Sequence, residues 1–414
     1  MLLTQLVGSS LHAGKKLLGA DHKLFPLTLQ HYCRLTRCER CAALNRIRLA
    51  PKRHPLTGRK LVQIFMIFLR IDLFHRSISY HIALKSLNRT KLTSPKRENK
   101  VTAMRIAVMG SGAVGGYFGA KLAAAGHELI FIARGHHLDV MRRSGLRIGS
   151  PSGNLHIERA VFTDGRDELT GVDLVLFCVK SYDTQTAAKA LAPLIGDRTM
   201  ILSLQNGVDN VEQLASLWGD PRTFAGVVYI AAQLESPGVI RHSNGGKIIL
   251  GHLDRAIGAG TELIENTLSG AGISCALSTN IRTVQWTKLL WNAPFCAISC
   301  LTGANVAQII ESEALTQLAV DCMVEVQAAA RTRGVELSRD LFDDTIAFSR
   351  GLGIFKPSML QDLEARKLLE YEAFNGVVFK LLRQAGERAP INQSFYALLQ
   401  QLDKKNRQEA ARDS

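Results

Sequence analysis

No uninterrupted apolar run of 18 residues occurs in this 414-residue chain, so no membrane-spanning helix is expected. The best candidate, residues 61–74, is short and is interrupted by Arg70 and Asp72. A disulfide framework is missing as well. Of eight cysteines, three fall in the first 103 residues and five are scattered through the rest. That usage fits a reducing compartment, and a cytoplasmic location is expected. Cys33, Cys38 and Cys41 stand at C-x4-C-x2-C with His31 nearby, but a second paired half is lacking, and no metal is expected. Acidic residues are scarce only at one end. Residues 1–103 carry 20 Lys+Arg against 4 Asp+Glu, which leaves 31 against 32 in the remainder. The formal charge of +15 therefore belongs to the first stretch, and the near-neutral body asks for neither nucleic acid nor membrane.

Residues 1–103 show no sustained helix or strand period. They read as a basic N-terminal extension, expected to be poorly ordered and dispensable. Their Arg-rich, acid-poor character is compatible with organelle targeting, although about a hundred residues is long for such a segment. Upstream sequence translated from an over-early start is the plainer reading, because Met104 precedes the first strand pattern by one residue.

That pattern opens the informative part of the chain. Ile106-Ala107-Val108-Met109 reads as a buried strand and runs into Gly110-Ser111-Gly112-Ala113-Val114-Gly115, a G-x-G-x-x-G. An Ala-rich helix pattern follows, then Gly126 as its stop, then a second strand over residues 128–133. Within strand–turn–helix–strand these glycines have distinct uses. Gly110 permits the tight turn, Gly112 lets backbone approach a pyrophosphate, and Gly115 lets helix and strand pack closely. The helix start offers unpaired N–H groups to phosphate. An NAD site places Asp or Glu at the end of the second strand; this chain places Arg134 there, which suits a 2′-phosphate. NADPH/NADP+ is therefore the expected cofactor.

Strand and helix patterns continue to alternate. A hairpin is expected over 146–161, strands over 172–179 and 199–204, and helices over 137–144, 183–194 and 208–218. Strand-like segments at 223–234, 238–242 and 247–250 suggest an antiparallel portion. Such repetition predicts a doubly wound Rossmann-type α/β domain, residues 104–278, with ligands at the carboxyl ends of the strands. Gly110, Arg134, Lys180 and Asn206 all fall at such ends. From about residue 279 the pattern is helical only, with helices expected over 281–299, 312–332, 338–349, 358–384 and 392–404. This is a C-terminal all-helical domain, residues 279–414, and the active site is expected in the cleft between the two.

In the helical part, Lys288, Asn292 and Cys296 are spaced four apart, on one helix face provided Pro294 only kinks the helix. A lysine among tryptophans and leucines is a candidate proton donor, since burial lowers its pKa toward working pH. Ser358 with Gln361 reads as a capping box. Glu370 is placed three turns along the same helix.

GSGAVGGYFGAKLAAAGHE, VKSYDT, LQNGV, VQWTKLLWNAPF, PSMLQDL and EYEAFNG follow one another in that order. In these stretches the chain resembles the ketopantoate reductases (2-dehydropantoate 2-reductases), from Met104 to about Lys405. The resemblance implies NADPH-dependent reduction of 2-dehydropantoate to pantoate, towards pantothenate and coenzyme A. It implies that Lys288 is the catalytic proton donor and that Glu370 is the catalytic acid near the substrate that supports it. By the same resemblance Asn206 lies at the nicotinamide end and near the substrate, and Asn292 and Ser358 hold the substrate's hydroxyl and carboxylate. The loop Gly110, Ser111, Gly112, Ala113, Val114 and Gly115 binds the cofactor, with Arg134 and Lys180 on its 2′-phosphate side. Two positions depart from relatives: Cys296 replaces an asparagine, and Asp183 replaces a glutamine. The competing readings are a same-fold reductase of another 2-oxo acid and a non-catalytic NADP(H)-binding sensor. The expected partner is a small 2-oxo acid, with a homodimer compatible with the sequence.

Overall fold

The computed structural model describes residues 103–165 and 171–412, with side chains to Glu409. They lie in the unit Asn99–Ser414. The expectations for the extension and for Cys33, Cys38 and Cys41 fall outside the described residues.

Strand β1 (Arg105–Met109) is buried through its middle and pairs in parallel on both sides. It leads through the glycine loop into α1 (Ala113–Ala124), then β2 (Glu128–Ile132) and α2 (Gly135–Ser144). Next come the hairpin β3 (Leu146–Gly149) and β4 (Leu155–Ile157), then β5 (Val161–Thr163) and β6 (Leu174–Phe177). Helix α3 (Thr184–Leu191), β7 (Met200–Ser203) and α4 (Asn210–Trp218) follow, and then the long antiparallel pair β8 (Thr223–Ser236) and β9 (Val239–Gly251). Helix α5 (Ala259–Gly270) and β10 (Ser274–Leu277) complete this part.

One mixed sheet holds these strands in the order β4-β3-β9-β8-β7-β6-β1-β2-β5, with β10 beside β9. The run β5-β2-β1-β6-β7-β8 is parallel throughout. This is the doubly wound order of a Rossmann-type domain, and its direction reverses between β1 and β6. Strands β4 and β5 stand at opposite ends of the path, yet only residues 158–160 join them. Nine strands laid flat would span about 38 Å, whereas so short a link reaches at most about 14 Å. The sheet must curl. It curls around α1, whose Gly116 leaves no room for a Cβ (2.3 Å from Ile240 on β9) and whose Gly119 meets Phe131 on β2 in the same way (2.6 Å). Helix α5 and β10 were not expected. Buried Thr261 and Thr267 replace two of the apolar positions that would have shown the helix period.

Beyond Asn280 the described elements are helices only. Asn280 caps α6 (Ile281–Thr302), accepting from the Thr283 amide at 3.3 Å. The helix runs through Pro294, so Lys288, Asn292 and Cys296 keep a common face. Then come α7 (Val306–Glu311), α8 (Glu313–Thr332), α9 (Asp340–Leu352) and α10 (Ser358–Glu364). A π-helical turn, Glu372–Gly376, leads into α11 (Val377–Gln384), and α12 (Pro390–Arg412) ends the described chain. The apolar face of α6, with Leu289, Phe295 and Ile298, packs in one core with Val326, Phe374 and Leu399. The sheet has its own core around Phe118, Phe131 and Leu250. Arg282 in the first turn of α6 bonds Glu212 of α4 at 2.5 Å and Asp254 at 3.1 Å, bracketing the helices onto the sheet.

The single helix expected over 358–384 is corrected. It breaks after Glu364, where Arg366 has φ +54° and the Lys367 amide bonds back to Asp362 O. Glu370 is therefore not on the helix of Ser358. The expected capping box is also not formed: Pro357 is the N-cap, Ser358 makes no cap, and Gln361 donates its side-chain amide to Lys356 O.

Candidate active site

The glycine loop sits at the switch point, where β1 leaves the sheet between β2 and β6. Gly110 has φ +94°, and a Cβ there would lie 2.8 Å from the Val179 amide nitrogen. At Gly115 a Cβ would stand 2.3 Å from Gly110 O, so helix and loop touch backbone to backbone. Gly112 is different. It is exposed, and a Cβ there would meet no protein atom within 4 Å. Nothing in the protein's own packing asks for glycine at this point. The open space lies at the first turn of α1, which no side chain caps, so the N–H groups at Ala113 and Val114 face a ready anion site. The donors and the open space at Gly112 fit a dinucleotide pyrophosphate.

Ser111 takes a different part from the one expected. It is buried, and its hydroxyl donates to Ile132 O at 3.1 Å, tying the ends of β1 and β2 together rather than facing a ligand. His137 was not foreseen. The Gly238 amide donates to its Nδ1 at 2.9 Å, so Nε2 carries the proton and donates to Ser111 O at 2.8 Å. Burial lowers its pKa, with Lys367's charge acting in the same direction against the Ser111 bond. A neutral imidazole thus holds the loop's backbone in place.

Two side-chain clusters occupy the strand ends towards the helices. In the first, Lys288 donates to Asn206 Oδ1 and to Val228 O, both at 2.7 Å. Asn206 follows β7 and is itself fixed: its carbonyl accepts from Asn210 at 2.6 Å, and Asn210 accepts from Thr184 at 2.9 Å. Asn206, Gly207, Gln285, Lys288 and Asn292 line one pocket. Burial pulls the Lys288 pKa down to about 8, with the charge of Glu370 and the Cys296 thiol pulling it partly back.

In the second cluster Lys180 bonds Asp362 at 2.6 Å and Glu370 at 3.0 Å, and the Ser181 amide donates to Glu370 at 3.1 Å. Burial opposes ionisation of both partners. It raises the Asp362 carboxyl, with Lys180 only partly offsetting it. On Glu370 burial is outweighed by the Lys180 charge and the Ser181 bond, and its pKa falls. For Lys180 the two carboxylates outweigh burial and hold its pKa well above the usual lysine range. Lys180 was grouped with Arg134 as a phosphate ligand; here its ammonium is held between two carboxylates. Arg134 too is engaged, by Asp183 at 2.5 Å. Glu370 makes no direct bond to Lys288 and reaches it only through its charge. Ser358 is exposed at the start of α10, and the structure gives it no bond to either cluster. Cys296 is fully buried, with burial pushing its thiol up to about 12. Asp362 lay unnoticed in PSMLQDL, since an acid in a helical stretch carries no local sign of burial.

A Rossmann-type sheet, an open glycine cradle at its switch point and a buried lysine held on Asn206 after β7 are the features of a nicotinamide-dinucleotide oxidoreductase. Comparison with known proteins supplies the family. Residues 106–255 match the family described as ketopantoate reductase PanE/ApbA, and residues 280–403 match its C-terminal counterpart. The chain belongs to the ketopantoate reductase family. It is 32% identical over 320 residues to a 2-dehydropantoate 2-reductase of Mesorhizobium japonicum, covering 72% of this chain and 98% of that one. Among solved structures, a PanE/ApbA family ketopantoate reductase from Ralstonia eutropha JMP134 superimposes with TM-score 0.68 at 33% identity, over 73% of this chain and 99% of that one. A 2-dehydropantoate 2-reductase from Geobacter metallireducens GS-15 gives TM-score 0.68 at 30% identity, over 72% and 99%. Among the described residues no helix is long and apolar enough to cross a membrane.

The glycine geometry makes a paired prediction. Gly115→Ala drives a methyl group into backbone and is expected to cost about 3 kcal/mol, at the upper end for overpacking. Gly112→Ala adds its methyl to open space and is expected to change stability by less than about 0.5 kcal/mol, yet to weaken dinucleotide binding about tenfold. Thermal unfolding and a cofactor fluorescence titration of both variants would show this crossover. Equal losses of stability would contradict the cradle.

Proposed function

We propose that the enzyme reduces 2-dehydropantoate to pantoate with NADPH. The observation that carries this is the Lys288–Asn206 pair, a buried proton donor whose pKa is drawn down to about 8, held at 2.7 Å on the residue that follows β7 and lining a pocket with Asn292. NADPH, when bound, supplies hydride to the ketone carbon. Lys288 donates a proton to the ketone oxygen, and its positive charge stabilises the alkoxide as it develops. Asn206 and Val228 O take two of the ammonium's donors and leave the third for substrate. Asn292 is proposed to hold the substrate hydroxyl and Ser358 its carboxylate, which requires Ser358 to move inward from its exposed position as the cleft closes. Gly110, Gly112, Ala113, Val114 and Gly115 hold the pyrophosphate, and Arg134 the 2′-phosphate. Lys180 is proposed to bear on the same cofactor through its place at the end of β6. Residues 104–278 and 279–414 are proposed as the cofactor and substrate domains, in a cytoplasmic enzyme.

A second reading is favoured by Cys296. A thiol is a poor partner for a hydroxyl, so a different branched 2-oxo acid is the rival substrate. The test is NADPH oxidation by the full chain, followed by absorbance, on 2-dehydropantoate and on a panel of 2-oxo acids in parallel. A kcat/KM for 2-dehydropantoate at least about tenfold above the others is expected. A higher value for another acid replaces the substrate, and turnover of none refutes the reductase reading.

A further inference from the structure

We propose that Asp183 weakens this enzyme's preference for NADPH over NADH by competing with the 2′-phosphate for Arg134, so that both cofactors bind with comparable affinity. The inference rests on the dinucleotide reading of the site above, and it concerns a residue to which that reading assigns no part.

Arg134 ends β2, the place where an acid reads the ribose hydroxyls in NAD sites and a cation accepts the 2′-phosphate in NADP sites. Its side chain is 81% exposed, yet it reaches Asp183 Oδ2 at 2.5 Å. Asp183 belongs to the turn Ser181–Asp183 after β6 and is 49 residues distant in sequence. Strands β2 and β6 flank β1 on opposite sides. The pair therefore spans the crevice over the glycine loop and offers a cation and a carboxylate at one spot. Arg134 is the sole hydrogen-bond partner of the Asp183 carboxylate among the described residues, and the carboxylate caps neither its own turn nor α3. The fold has no evident use for it.

The two cofactors meet this pair differently. A 2′-phosphate carries between one and two negative charges near neutrality. It gains the guanidinium only by displacing Asp183 or by sharing Arg134 with it, and in either case like charges face each other. A bare ribose 2′-OH is a hydrogen-bond donor, and the carboxylate is an acceptor of the kind that NAD sites place there. Asp183 thus opposes NADPH and assists NADH, while Arg134 does the reverse.

The experiment is calorimetric titration of the full chain with NADPH, NADH and adenosine 2′,5′-bisphosphate. The last carries the 2′-phosphate but no nicotinamide, so turnover plays no part. Wild-type affinities for NADPH and NADH are expected within about tenfold of each other. Asp183→Asn is expected to tighten NADPH and the bisphosphate about tenfold, equivalent to ~1.4 kcal/mol, without tightening NADH. Arg134→Gln is expected to weaken the two phosphorylated ligands similarly and, in the double variant, to cancel the Asp183→Asn gain. If Asp183→Asn changes NADPH and NADH alike, or neither, the pair is a surface ion pair and the inference is wrong. Failure of the wild type to bind either dinucleotide overturns it together with the cofactor reading. Binding of both with no 2-oxo acid reduced would sink the substrate assignment alone.

Discussion

Lys288→Ala is expected to lower kcat for the reduction about a thousandfold, within the range that positioned general acids contribute. The geometry explains the size. Lys288 is the cation of the Asn206 pocket, and two of its three donors are fixed at 2.7 Å, so the third has a defined direction. Lys288→Met keeps most of the apolar stem beside Leu289 but has no proton to give, and it should be equally inactive with its fold intact by circular dichroism. The pH profile gives the second signature. A donor must be protonated, and with its pKa drawn down by burial to about 8 roughly nine-tenths of the lysine is charged at pH 7. The kcat/KM for reduction should be level below that value and fall about tenfold per pH unit above it. Oxidation of the hydroxy acid needs the neutral amine and should rise through the same range. A Met variant that keeps more than about a tenth of wild-type turnover would remove Lys288 from the chemistry.

The parts of this site that could be read from the sequence are those with a local pattern. The β1–loop–α1–β2 unit is one, because strand period, glycine spacing and helix stop fall within about thirty residues. The rule that ligands gather at strand carboxyl ends grouped Gly110, Arg134, Lys180 and Asn206, and each follows a strand of the parallel run as expected. Four-residue spacing put Lys288, Asn292 and Cys296 on one face, and α6 runs through Pro294 to keep them there.

What stayed hidden is pairing at a distance. Lys180 meets Asp362 across 182 residues and Glu370 across 190, and no periodicity records such contacts. The curl of the sheet was hidden for the same reason, since it follows from which strand β3 joins besides its hairpin partner β4: it pairs with β9, which lies about ninety residues on in the chain. The break between α10 and the π-helical turn was masked by a continuous helix pattern. Arg366 takes a left-handed conformation there that its residue type does not announce. That break is what releases Glu370 to face Lys180.

The consequence is the second large effect. Lys180→Met is expected to be the most destabilising single change in the site, by about 3–5 kcal/mol, because it leaves Asp362 and Glu370 buried without their cation. Glu370→Gln should cost less. It keeps an acceptor for the Ser181 amide and leaves Lys180 paired with Asp362. The order of these losses tests whether the cluster is an ion triad, and a milder Lys180→Met would show that it is not. The acid side has a definite sign. Net, Glu370's folded pKa lies below its unfolded one, because Lys180 and the Ser181 bond outweigh burial. The stability it adds is present above the unfolded value and is lost as pH falls through the folded value; Glu370→Gln should flatten that limb. The same variant tests the link to catalysis. Glu370's charge supports the protonated form of Lys288, so removing it should move the alkaline limb of the reduction profile to lower pH, with kcat at pH 8 down about tenfold or more. A limb that stays in place while activity falls would make Glu370 a packing residue. A limb that moves as expected identifies Glu370, held ionised by Lys180, as the charge under which Lys288 keeps its proton.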